Sequence, residues 1–315
     1  MERVEQQAAD VADRPPSRAA VWLKTARPFS LSASVSPILV GTALAAYDGR
    51  FDAAIFATTL LASVMLQVAA NYFNEYFDHR YQLDTAQSLG ASTAIFQGAM
   101  TAREVFAAGA GSVAVAALLG LYLIARVGLQ MLLFGLAAVA ILYFYSARPV
   151  KLAQRGLGDP AVFVAMGFLM VWGAYYVQIP RWSWSALAAS VPVGLLVVAI
   201  LNMNNLRDLP DDAAVAKRTV VVRFGERFGQ RYEAALILGA YVAVAVGIAA
   251  GLLPVTAIIA GATLPRAIDL ARTVLAASDR RAFIVGMKRI SALHLSFGIA
   301  LAAGIALAAV AQLSS

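Results

Sequence analysis

Two short stretches concentrate the oxygen-bearing side chains of this chain. The first reads Asn71-Tyr-Phe-Asn74-Glu75-Tyr76-Phe77-Asp78-His79-Arg80-Tyr81-Gln82-Leu83-Asp84. The second reads Asn202-Met-Asn204-Asn205-Leu206-Arg207-Asp208-Leu-Pro210-Asp211-Asp212, followed by Lys217-Arg218-Thr219. Each contains Asn-x-x-x-Asp, as Asn74/Asp78 and Asn204/Asp208. The pair reads as a faint internal repeat that would bring the two stretches to facing positions in a helical bundle. Residues i and i+4 share a helix face. Asn74 with Asp78, and Asp208 with Asp212, therefore each present two oxygen ligands toward one point. Two such faces opposed form an oxygen-lined cage. Mg²⁺ takes one or two carboxylates and completes its shell with water and substrate phosphates, so a diphosphate bridging two Mg²⁺ fits this arrangement. Pro210 lacks a backbone donor. It is expected to break the helix, so that Asp208 and Asp212 converge from a loop.

Cations flank both halves. Arg207, Lys217 and Arg218 lie beside the second cluster, and Arg148, Lys151 and Arg155 crowd another loop. Cations next to a diphosphate offset its charge as it leaves, although many of the chain's cations serve only to set membrane topology. His79 reads as a solvated loop residue. The aromatics Tyr72, Phe73, Tyr76, Phe77, Tyr143, Phe144, Tyr145, Tyr175 and Tyr176 read mostly as core or interfacial belt. A minority facing a cavity would steady an allylic cation through their ring faces.

The elements that position these residues follow from the composition. Of 315 residues 61% are hydrophobic and 14% charged, and the mean hydropathy is +0.72. Soluble domains carry about 25% charged residues, so this chain is expected in lipid, as an all-α polytopic bundle with membrane lipid as its surroundings. With no cysteine there is no disulfide, thiol nucleophile or thiolate-bound metal. His79 and His294 are too few for a histidine-rich metal site. The net charge of +7 is explained by positive cytoplasmic loops rather than by nucleic-acid binding.

Apolar segments are expected to span the membrane over roughly 30–47, 53–73, 104–125, 128–146, 159–179, 183–203, 232–252, 253–272 and 291–312, about nine in all. The eighth carries Pro265, Arg266 and Asp269 near its end. Residues 1–23 lack the apolar core of a signal peptide and read as a disordered cytoplasmic tail, with 24–315 a single domain. Of the 25 Lys and Arg, all but Arg50, Arg126 and Arg181 fall on one side; of the 18 Asp and Glu, all but Asp48 and Asp52 do. That asymmetry predicts a cytoplasmic N-terminus and both acidic clusters on the cytoplasmic side, at a cytoplasmic (inner) membrane.

With these motifs in place, residues 24 to 310 resemble the UbiA superfamily of intramembrane prenyltransferases. The first family motif, N-D-x-x-D with a further Asp, is matched by Asn74, Asp78 and Asp84; the second, D-x-x-x-D, by Asp208 and Asp212. Departures fall at Glu75, Gln82 and Ala216. The resemblance implies about nine helices around a central cavity with cytoplasmic cap loops, two Mg²⁺ and a prenyl tail in an apolar tunnel. The six-residue step from Asp78 to Asp84 is similar to the branch that prenylates 1,4-dihydroxy-2-naphthoate in menaquinone synthesis. So are Ala26-Arg-Pro-Phe-Ser-Leu31, Arg155-Gly-Leu-Gly-Asp159 with Gly173-Ala-Tyr-Tyr-Val-Gln178, and the run from Asn204 through Lys217-Arg-Thr219 to Gly225.

The implied partners are a polyprenyl diphosphate and an aromatic acid; 4-hydroxybenzoate, homogentisate or a non-quinone ring are the other acceptors. On this resemblance Asn74, Asp78, Asp84, Asn204, Asp208 and Asp212 hold Mg²⁺, with Asp78, Asp208 and Lys217 central to catalysis. Asn74, Arg207, Lys151 and Arg148 contact the diphosphate, and Tyr145 and Tyr76 line the acceptor cavity. A secondary transporter is the rival class. It would carry charges near the bilayer midplane, where these segments have almost none.

Overall fold

A computed structural model describes residues 17–82 and 94–313. Among them every regular element is a helix. In chain order these are α1 (Arg18–Thr25), α2 (Ser32–Tyr47), α3 (Ala53–Arg80), α4 (Ala102–Val127), α5 (Met131–Ser146), α6 (Gly158–Gln178) and α7 (Trp184–Arg207). They continue as α8 (Leu209–Ala214), α9 (Val220–Phe224), α10 (Glu226–Ala249), α11 (Leu264–Leu275) and α12 (Arg280–Leu313). Seven helical stretches are long and apolar enough to cross a membrane, namely Arg18–Tyr47, α3, α4, α6, α7, α10 and Arg280–Gln312 of α12; α5 is apolar but shorter.

The expected span at 253–272 is helical and runs from the end of the bundle near Gly304, which packs on Thr256, back to the chamber end, where Gln230 donates to the Ala277 carbonyl at 2.7 Å. Val255–Thr263 is a 3-10 helix, and α11 follows it. In α11, Ala267, Leu270, Ala271 and Val274 are buried while Arg266, Asp269 and Arg272 are exposed. That one-sided pattern is the stripe of a helix at the rim of the bundle, with Val255 and Ile258 exposed on the 3-10 part before it. The expected tail also ends earlier than residue 23. Residues 1–16 lie outside the described part, but Ser17 caps α1 by accepting from the Ala20 N–H, and Trp22 packs edge-on against Tyr72 at 5.6 Å.

Burial sorts the helices into inner and outer. Twelve of the sixteen residues of α2 and sixteen of the twenty-four of α7 are buried, against four of twenty-six in α4 and only Ser146 in α5. Leu118, Leu121 and Leu133 on α4 and α5 are each at least 60% exposed, as a lipid-facing surface requires. The main core joins α2, α6, α7, α10, α11 and α12. Helix α2 contacts α3, α6, α7 and α12, and α3 pairs with α4. Gly41 permits the α2–α6 crossing: a Cβ there would stand 2.2 Å from the Val171 carbonyl oxygen.

Helix α3 is pinned at its first turn. Asp52 Oδ1 accepts from the N–H groups of Ala54 and Ile55, at 2.9 and 3.0 Å, which satisfies two donors a helix start leaves open. Arg126 pairs with Asp52 at 2.9 Å and Arg181 with Asp48 at 2.9 Å. Four of the five charges that the sequence places apart from the rest thus pair with one another at one end of the bundle, and the acidic cluster of α3 stands at the other.

Candidate active site

Gln67, Asn71, Asn74 and Asp78 follow each other along α3 at steps of four, three and four, and all four line one cavity of about 220 Å³. Such spacing keeps them on one helix face. Across the cavity stand Asn204, Asn205, Arg207 and Asp208 from the end of α7, with Asp211, Asp212 and Lys217 beyond it. Helices α3 and α7 thus present their Asn-x-x-x-Asp repeats to a shared space. Tyr145 and Ser146 enter from the end of α5, and the Ser146 hydroxyl donates to Asn74 Oδ1 at 2.5 Å.

The break expected at Pro210 is there, and it makes a second helix rather than a loop. Asp208 closes α7 and opens α8, with Pro210 in the first turn of α8, where a missing N–H is tolerated. The Asp212 N–H donates to the Asp208 carbonyl at 2.8 Å, which keeps the two carboxylates one turn apart. Arg207 holds its own neighbours through Nε to Asp208 Oδ1 at 2.7 Å and Nη2 to Asn204 Oδ1 at 2.6 Å. Lys217 Nζ lies 3.0 Å from Asp212 Oδ1. Burial pushes the Asp212 carboxyl above its ordinary range, against the pull of Lys217. Burial works to lower the Lys217 pKa, but the negative field of Asp212 and Asp78 carries it upward. Lys217 is therefore held as a cation among carboxylates.

Several residues that sequence reasoning did not single out line this cavity or, in the case of Arg280, brace its wall from behind. Arg27 lines it from a turn with φ 53° and ψ 67°, a left-handed conformation uncommon outside glycine. Asn71 clamps that turn by donating to the Ala26 carbonyl at 2.8 Å and to Ser30 Oγ at 2.9 Å, while Arg27 Nε is buried with no partner. Arg280, at the start of α12, donates to Asp211 and to the Arg207 carbonyl. Asp159, at the start of α6, lines the wall with its Oδ2 buried and unpartnered. Only Arg27 and Asp159 carried a signal, because both fall within stretches the family resemblance had marked.

Other expected site residues stand elsewhere. Lys151 Nζ sits 3.7 Å from the centroid of the Tyr81 ring and 3.0 Å from Gln154 Oε1. Gln154 is on the cavity wall and Lys151 one bond behind it. Arg148 also stacks on Tyr81, 5.4 Å from the centroid. The Tyr81 ring thus draws both cations away from the cavity by cation–π attraction. Tyr76 lies two residues from Asn74, about 200° around the helix. It faces α4, packing on Phe106 at 5.0 Å and accepting from Arg80 at 2.8 Å. Glu75 is 1% exposed and accepts the Ile95 N–H at 3.1 Å; it anchors the segment that returns to α4. His79 is exposed. Asp84 lies outside the described residues.

A second cavity, of about 230 Å³, adjoins the first and shares Gln67, Asn71, Asn74, Tyr145, Val162 and Met166 with it. The rest of its wall is chiefly apolar, with Leu66, Ala138, Ile141, Leu142, Ala165 and Met170. A polar chamber therefore opens onto an apolar one, with Tyr145 at the junction. Five carboxylates (Asp78, Asp159, Asp208, Asp211 and Asp212) face three cations (Arg27, Arg207 and Lys217) on the polar wall. A polyphosphate anion entering such a wall needs additional positive charge. The donors present are all oxygen, and Asp212 Oδ2 is buried without a partner, which fits a hard cation such as Mg²⁺. Among the described residues no three His, Asp or Glu converge into a metal site made by protein alone. Mg²⁺ shared with a diphosphate does not require one.

Residues 34–297 match the profile of the UbiA prenyltransferase family. The chain is 29% identical over 285 residues to the 1,4-dihydroxy-2-naphthoate octaprenyltransferase of Bacillus subtilis (strain 168), covering 90% of this chain and 91% of that one. It is 35% identical over 238 residues to the 1,4-dihydroxy-2-naphthoate octaprenyltransferase of Escherichia coli (strain K12), covering 73% and 76%. Its fold matches a UbiA homolog from Archaeoglobus fulgidus bound to GPP and Mg²⁺ with a TM-score of 0.62 and 16% identity, over 91% of this chain and 100% of the other.

Proposed function

From the premise that the chain belongs to the UbiA prenyltransferase family, we propose that it transfers a polyprenyl group from its diphosphate to 1,4-dihydroxy-2-naphthoate, with Mg²⁺, in menaquinone synthesis. The observation that carries this reading is the junction of a carboxylate- and cation-lined chamber with an apolar one. It suits a substrate that is anionic at one end and hydrocarbon at the other.

Asp78, Asp208 and Asp212, with Asn74 and Asn204, would hold Mg²⁺; Asp84 joins them by its place in the motif. The metal supplies charge neutralisation for the diphosphate as it leaves. Lys217, Arg207 and Arg27 face the same chamber and offset the charge that builds on the leaving oxygen; Lys151 and Arg148 support the wall from behind. The carbon–oxygen bond to diphosphate breaks and leaves an allylic cation at the junction. There the ring of Tyr145 presents its negative face, and the apolar chamber excludes water that would otherwise capture the cation. A carbon of the electron-rich acceptor ring bonds to the cation, and the ring then loses a proton or its carboxylate as CO₂.

The relatives named for the naphthoate acceptor support that choice of substrate. The gathering of all but three of the Lys and Arg on the chamber's side supports a chamber that opens to the cytoplasm from the inner membrane. The test is incubation of purified protein with a polyprenyl diphosphate, Mg²⁺ and a panel of aromatic acids, read by mass spectrometry. Prenylated naphthoquinol is the expected product. Turnover that survives exhaustive EDTA treatment would sink the metal assignment, and exclusive prenylation of another acid would sink the acceptor.

A further inference from the structure

Asp159 is the one carboxylate of the polar chamber that belongs to neither acidic cluster. It is 8% exposed, its Oδ2 is buried without a hydrogen-bond partner, and no described ion pair includes it. A carboxylate oxygen only accepts hydrogen bonds; Tyr232 hydrogen-bonds to this carboxyl group, and the buried Oδ2 left without a partner calls for an explanation. Helix capping is not that explanation: Leu157 is the cap residue of α6, and no side-chain capping bond forms there.

Its position is informative. Val162 and Met166, one and two turns further along α6, line both chambers, so Asp159 stands on the polar side of their junction. The Tyr145 hydroxyl is 3.5 Å from where a Cβ at Gly158, the preceding residue, would stand. Tyr232, from α10, hydrogen-bonds to the Asp159 side chain and leaves Oδ2 as its free oxygen. A prenyl diphosphate with its anion among Asp78, Asp208 and Asp212 and its tail in the apolar chamber would put its reacting carbon at this junction. The acceptor ring must then lie beside Asp159.

We propose that Asp159 is the hydroxyl-recognising residue of the acceptor subsite, its free carboxylate oxygen accepting a hydrogen bond from a phenolic hydroxyl of the bound ring. The proposal rests on the prenyl-transfer reading and deepens it. A charge-assisted bond of this kind is short and strong. It draws electron density into the ring that attacks the allylic cation. It also selects against rings that lack the hydroxyl, because they leave Oδ2 buried and unpaired.

The test is binding, read by fluorescence titration of purified protein with Mg²⁺ and an unreactive prenyl thiodiphosphate. The ligands are 1,4-dihydroxy-2-naphthoate, 1-hydroxy-2-naphthoate and 4-hydroxy-2-naphthoate. Wild-type protein is expected to bind the dihydroxy compound at least about tenfold more tightly than one of the two monohydroxy compounds. In Asp159→Asn that ratio falls toward one, while affinity for the thiodiphosphate stays within about twofold and the Tm does not drop.

An unchanged ratio in the variant overturns the proposal, as does a matching loss of thiodiphosphate affinity, which would make Asp159 part of the metal–diphosphate site. If the variant does not fold, wild type decides alone: equal affinity for all three rings overturns the proposal, and a preference for the dihydroxy ring upholds it. Wild-type protein that binds none of the three and prenylates none sinks the naphthoate reading itself, an outcome distinct from either of these.

Discussion

At the scale of single residues, Asp78 and Asp208 carry the sharpest prediction. Each faces the chamber from one of the two repeats, and each matters most when charge builds on the leaving group. Asp→Asn at either position keeps size and removes charge. Turnover should fall by roughly a hundred- to a thousandfold, the loss of about 3–4 kcal/mol of electrostatic stabilisation. The Tm in detergent should hold or rise in Asp78→Asn, because the metal-free wall carries more carboxylates than cations, and should fall in Asp208→Asn, which takes the partner from the buried Arg207 guanidinium. Asp279 is the control. It accepts the Arg281 N–H at 3.0 Å at the start of α12, and Asn caps as well as Asp, so Asp279→Asn should leave both readings intact. Near-normal turnover in Asp78→Asn would refute the metal cage. A second expectation concerns ligand linkage. Mg²⁺ and inorganic diphosphate together should raise the Tm more than either alone, because diphosphate completes the shell of a metal the carboxylates hold and the metal joins it to that wall. Ligand at a hundred times its Kd stabilises by about 2.7 kcal/mol.

Among the elements, the α2–α6 crossing is the most sensitive contact to probe. Gly41→Ala drives a Cβ to within 2.2 Å of a backbone carbonyl and 2.8 Å of Ala174 Cβ. Overpacking of this kind costs about 1–3 kcal/mol, so the Tm should drop measurably. Gly111→Ala, on the exposed face of α4 with nothing within 4 Å, should change little. An unaltered Tm for Gly41→Ala would mean the crossing is looser than described.

Much of this architecture was legible in the sequence, because apolar runs and the i, i+4 spacing of Asn74 with Asp78 are local signals. What escaped has local reasons too. The segment 253–272 is apolar enough to read as a span, but nothing in its letters announces that Val255–Thr263 winds as a 3-10 helix. Tyr76 and Asn74 look equivalent in a string of letters and lie on opposite sides of α3. Lys151 and Arg148 read as diphosphate ligands until the Tyr81 ring takes them. Arg280 joins the site from the far end of the chain, 69 residues from Asp211, with no motif to announce it.

For the whole molecule the open variable is its direction in the membrane. The chain has no cysteine, so single cysteines can be introduced without further changes. Gln82→Cys and Ala214→Cys, both at exposed positions, should react with a membrane-impermeant maleimide from the cytoplasmic side alone. Labelling from the outside would reverse the orientation.

The length of α3 has a consequence of another kind. Its 28 residues make a rod of about 42 Å at 1.5 Å per residue, against a hydrocarbon layer of about 30 Å. About eight residues at 1.5 Å each must extend past the oil, and Asn74 and Asp78 are near that end. The catalyst therefore works at a phase boundary and draws an amphiphilic substrate from within the bilayer plane. Its rate should follow the mole fraction of prenyl diphosphate among the lipids, so that adding inert lipid at constant bulk substrate slows the enzyme by surface dilution alone.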